Sequence, residues 1–101
     1  MGRQQNYVGL HNDRNGGMTS VGNVIRDAWV FGLLPEGEGC EGWSYDRIEK
    51  LYDEVSRAWA PYGHRVSALP PNLRERHTRI YDEAVRTARA AGWDPELGDE
   101  D

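Results

Sequence analysis

At 101 residues the chain has room for one domain with a modest core, and none for a second domain closing an interdomain cleft. Its net charge of -5 is local: residues 94–101 (DPELGDED) hold five of the 17 acids and no base, so the rest balances 12 acids against 12 bases and lacks the basic surplus of a nucleic-acid binder. There is no run of about 18 apolar residues and no basic start leading into an apolar segment, so no membrane span or leader is expected; the lone Cys40 suits a reducing compartment, and the cytoplasm is the expected location.

Residues 1–18 show neither helical nor strand periodicity and are rich in Gly, Asn and Gln, which predicts an extended arm that only Tyr7, Val8 and Leu10 can anchor. Thr19 or Ser20 suits a helix N-cap. Apolar residues then fall at 21, 24, 25, 28, 29, 32 and 33, one face of a helix running from Val21 to about Leu34 and stopped by Pro35. Residues 36–42 (EGEGCEG) read as a loop, three glycines and three glutamates being unable to pack or to hold a helix.

Ser44 caps a second helix, with Asp46 favoured in its first turn by the macrodipole and Ile48, Leu51, Tyr52, Val55 and Trp59 as its apolar stripe. Residues 61–72 (PYGHRVSALPPN) hold three of the five prolines and form a stiff connector. Pro71 opens a third helix whose apolar face is Leu73, His77, Ile80, Tyr81, Ala84, Ala88 and Ala91, with Gly92 as C-cap and Trp93 folding back. Eleven of the 12 bases are arginine, and several sit four residues after an acid, as in Asp53–Arg57, Glu75–Arg79 and Asp82–Arg86, which predicts helical ion pairs. The expected fold is therefore all-α: a small three-helix domain over 19–93, an extended N-terminal arm over 1–18 and a disordered acidic C-terminal tail over 94–101.

No motif has the spacing that a known chemistry requires, so no enzyme activity and no cofactor is assigned. His11 with Asp13 forms an H-x-D pair, two ligands short of a structural metal site; His64, His77 and Cys40 fall at no zinc-ligand spacing, and no metal is expected. His77, on an apolar face, reads as a packed imidazole. Cys40 lies beside Glu38 and Glu41, whose charges oppose a thiolate, and reads as a passive thiol. Gly16-Gly17 lacks the strand and the remaining glycines of a phosphate loop. About ten residues separate helices 2 and 3, too many for a helix-turn-helix, so neither nucleic acid nor membrane is expected as a partner.

The stretch least explained by a simple amphipathic helix is AWVFGLL, residues 28–34. If Ala28, Trp29, Gly32 and Leu33 face the core, then Val30, Phe31 and Leu34 project elsewhere and need cover from the arm, from the connector, or from another chain. The leading functional expectation is an interaction or accessory module that binds a partner protein or a second copy through Trp29, Val30, Phe31 and Leu34, with Trp29 itself buried. The alternative is a small enzyme or a ligand- or metal-binding protein with a site around His11, Asp13 and His64 or Cys40. An ordered arm favours the second, because docking through Tyr7, Val8 and Leu10 would fix His11 and set Asp13 at the positive end of helix 1.

Overall fold

The computed structural model describes residues 6–93; the first five residues of the arm and the acidic tail over 94–101 lie outside the described residues. Three α-helices make up the fold: α1 (Ser20–Val30), α2 (Tyr45–Trp59) and α3 (Pro71–Ala90). Helix α1 packs against both of the others. Among the described residues the β structure is one isolated antiparallel bridge, Asn6 to Ser44.

The caps at two helix starts follow the sequence reading. The Thr19 hydroxyl accepts the Gly22 amide at 3.0 Å, and the Ser44 hydroxyl accepts the Arg47 amide at 3.2 Å. Helix α1 ends earlier than expected. Gly32 takes a left-handed φ of 74°, and the amides of Leu33 and Gly32 fold back onto the carbonyls of Ala28 and Trp29 at 2.8 and 3.2 Å. This closure terminates the helix before Pro35 is reached.

The early stop resolves the apolar surplus differently from the expectation. Val30 is fully buried, while Leu33 is left 40% exposed and Gly32 faces solvent. Phe31 packs edge-on to the Trp59 ring at 5.2 Å and parallel to Tyr62 at 6.3 Å, so the connector supplies its cover. Trp29 is half-buried rather than buried.

Ile48, Leu51, Val55 and Trp59 of the α2 stripe are buried, whereas Tyr52 is exposed. On α3, Ile80, Ala84 and Ala88 are buried, while Ala91, expected on the same face, lies just past the helix end and is exposed. Asp27 of α1 clasps the three helices: its carboxylate accepts the Trp59 indole N–H at 3.0 Å and the Tyr81 hydroxyl at 2.6 Å. The expected pairs along the helices do not form. The ion pair present among the described residues joins Arg79 to Glu36, at 2.7 and 3.1 Å, and Arg76 donates to the Val30 carbonyl at 3.0 Å. The arginines of α3 thus reach across to the α1 terminus and its following loop, where unsatisfied carbonyls and a carboxylate offer more than a solvated neighbour on the same helix.

Candidate functional site

The arm is docked. Its Tyr7 amide donates to the Trp43 carbonyl at 2.8 Å, the Gly42 amide to the Tyr7 carbonyl at 2.9 Å, and the Leu10 amide to the Gly39 carbonyl at 3.0 Å. The loop over 36–42 therefore packs after all, by giving its backbone to the arm and its Cys40 side chain to the core. Tyr7 and Leu10 are buried in that same core, while Val8 is 51% exposed and anchors nothing.

Asp13 holds the arm in its fold. One carboxylate oxygen accepts the hydroxyls of Tyr7 and Thr19 at 2.7 and 2.6 Å, and the other accepts the Arg14 amide at 2.7 Å. Burial works to raise the Asp13 pKa, but the hydrogen bonds from Thr19, Tyr7 and Arg14 outweigh it and hold the carboxyl below its ordinary range. Asp13 thus meets the start of α1 through the cap residue Thr19 rather than through free helix amides. Burial, with the Asp13 carboxylate next, pushes the Tyr7 phenol well above its usual value.

Beyond Asp13 the chain turns through Asn15 and Gly16, both left-handed, with φ of 54° and 63°. A Cβ on Gly16 would lie 2.5 Å from the Ala88 Cα, so this turn seats directly on α3. The Gly16-Gly17 pair is a packed corner, neither a phosphate loop nor a hinge. Arg26 of α1 then fastens the corner, donating from Nη1 to the Gly17 carbonyl at 2.9 Å.

Docking leaves a half-open cavity of about 610 Å³ between the arm, α1 and α3. Leu10 and His11 line it from the arm, Arg26 and Trp29 from α1, Ile80 and Ala84 from α3, and Glu36 and Gly37 from the loop. The Trp29 ring is fixed there by its indole N–H, which donates to the Glu38 carbonyl at 3.1 Å. Arg26 is only 4% exposed, and burial lowers its pKa.

Of the expected site residues, the fold brings Trp29 and His11 to one cavity. Asp13 supports its arm wall, Val30 is fully buried and unavailable to a partner, and Phe31 packs against α2 and the connector. Leu34 is half-buried in a separate shelf with Leu33 and Pro35. The constellation of His11, Asp13, His64 and Cys40 is not assembled. His64 stacks on Trp59 at 6.4 Å and lines a different cleft, of about 310 Å³, with Asp27 and Tyr52. Burial, then the charge of Glu38, pushes the fully buried Cys40 thiol up to about 11. His77 stacks on Tyr81 at 4.4 Å, and burial lowers its pKa. No group of three or more His, Cys, Asp or Glu side chains suited to a metal ion occurs among the described residues.

Sequence reasoning missed Arg26. Its signal was present but faint: Gly22, Arg26 and Val30, four residues apart, make a buried stripe on α1 that a charged side chain in its middle disguised.

The fold and this cavity define a small all-α domain whose N-terminal arm closes a cleft over two of its helices. No family model, no curated protein and no solved structure matches the chain.

Proposed function

We propose that the protein is a small-molecule binding module whose site is the cavity beneath the arm. The observation that carries this reading is the docked arm itself: it brings Leu10 and His11 to the same half-open cavity as Trp29 and Arg26, with a volume of the size that small ligands occupy. The lining has the usual make-up of such sites, mostly apolar with a few converging polar groups. A cytoplasmic location belongs to the same reading, supported by a single thiol, and no helix among the described residues is long and apolar enough to cross a membrane. The test is amide chemical-shift mapping of the full chain against a panel of small aromatic and aliphatic compounds. Saturable shifts gathered at Leu10, His11, Trp29 and Ala84 are expected; shifts absent there for every compound contradict the reading.

A second reading keeps the interaction module, relocated by the burial of Val30. The α1 terminus holds Leu33 40% exposed beside Leu34 and Pro35, with Arg76, Arg79 and Glu36 around them. This shelf would take a partner protein or a second copy. Concentration-dependent association in sedimentation velocity that Leu33→Glu abolishes is the outcome expected for a second copy, and a monomer at all concentrations removes that version.

A further inference from the structure

The Arg26 guanidinium is buried, with no counter-ion among the described residues. Its Nη1 donates to the Gly17 carbonyl, to the Asn23 amide oxygen at 3.3 Å and toward the Met18 sulfur at 3.7 Å, all of them neutral acceptors. Among the described residues no carboxylate lies within ion-pair distance of it. Of the nearby acids, Asp13 is committed to Tyr7, Thr19 and Arg14, Asp27 to Trp59 and Tyr81, and Glu36 to Arg79, while Glu83, which also lines the cavity, lies beyond ion-pair distance of Arg26.

Nothing among the described residues accepts from Arg26 Nε or Nη2, yet no fully enclosed polar side-chain atom there lacks a partner. Neither nitrogen is therefore fully enclosed, although Nη2 also packs beside Gly17, and the cavity is the space that Arg26 lines. A buried charge without a partner is costly, and the two adjacent N–H groups of a guanidinium edge match the two oxygens of a carboxylate. Fastening the arm uses only Nη1, so that structural role leaves this edge unexplained.

We propose that the cavity takes the carboxylate of a small organic acid, anchored on the Nε–Nη2 edge of Arg26, with the acid's apolar body against Leu10, Trp29 and Ile80. The inference rests on the reading of this cavity as a ligand site. A monoanion suits it better than a phosphate, because one guanidinium faces a largely apolar wall and Glu83 also lines the cavity.

The test compares isosteric pairs on the full chain: phenylacetate against phenylacetamide and hexanoate against hexanamide, followed by amide shifts and by the Arg26 Nε–H resonance. Each acid should bind about tenfold tighter than its amide, the margin of one charge-assisted bidentate contact. The Nε–H should move on adding acid and stay in place on adding amide. Arg26→Lys keeps the charge but loses the planar edge and should narrow the gap; should that variant lose the docked arm, the unmodified chain still decides. Equal affinities at the cavity, with a motionless Nε–H, overturn the Arg26 assignment and leave the cavity reading intact. If no acid and no amide of the panel binds there, both fall.

Discussion

Asp13 accepts three hydrogen bonds from groups that lie on both sides of the arm's turn, and so ties the arm down beside its apolar anchors Tyr7 and Leu10. Asp13→Ala should cost about 2 kcal/mol, the worth of charge-assisted bonds plus the stranding of the buried Tyr7 hydroxyl, measured by denaturant unfolding. Because its folded pKa is lowered, the unfolded chain binds the proton first. Its stabilisation is full above the ordinary carboxyl value of about 3.9 and is lost as pH falls through the folded value. His77 has the same sign in a higher window: burial lowers its pKa, so stability should decline as pH drops below about 6.5, and His77→Phe should flatten melting temperature between pH 7.5 and 5.5. Cys40, buried and with its pKa near 11, should alkylate more slowly than a free thiol at neutral pH. The sequence singled out His11, for its pairing with Asp13, and Trp29, for its apolar run, without showing that one cavity would hold both; it did not single out Arg26, since periodicity marks apolar positions and an arginine among them reads as solvated.

Helix starts were legible because Thr19 and Ser44 carry the oxygen that a free helix amide needs, and Pro71 suits a first turn. The end of α1 was misread because apolar residues continue past it. What terminates the helix is the left-handed backbone of Gly32, a property of conformation that hydrophobic spacing does not record. A Cβ there meets nothing within 4 Å, so Gly32→Ala isolates the conformational cost, about 1 kcal/mol. Gly16→Ala adds a collision with the Ala88 backbone to the same left-handed cost and should destabilise by clearly more, about 2–3 kcal/mol, read from thermal or urea unfolding of both variants. The ion pairs expected within helices failed for a related reason: spacing of four shows which side chains are neighbours on a helix, but not what another segment offers them. Arg76 and Arg79 found a helix-end carbonyl and a loop carboxylate instead.

At the scale of the molecule, the arm and the loop over 36–42 complete each other. The loop was read as unable to pack and the arm as held only by Tyr7, Val8 and Leu10, yet each satisfies the other's backbone: Tyr7 exchanges hydrogen bonds with Gly42 and Trp43, and Leu10 bonds Gly39. That the arm would anchor through Tyr7 and Leu10 was visible in the sequence; its pairing with the loop, and the cover of Phe31 by Trp59 and Tyr62 rather than by the arm, were not, since neither arm nor loop has strand alternation. The cavity follows from that docking, with the arm supplying Leu10 and His11 to a wall that α1 and α3 alone would leave open. Residue-resolved amide exchange of the full chain under native conditions tests this most directly. Docking predicts protection at Tyr7, Leu10 and Gly42 comparable to that along α1, with Val8, whose amide has no acceptor among the described residues, exchanging fast. Tyr7 and Leu10 exchanging at the rate of unstructured chain while α1 stays protected would contradict it, and the cavity would go with the arm.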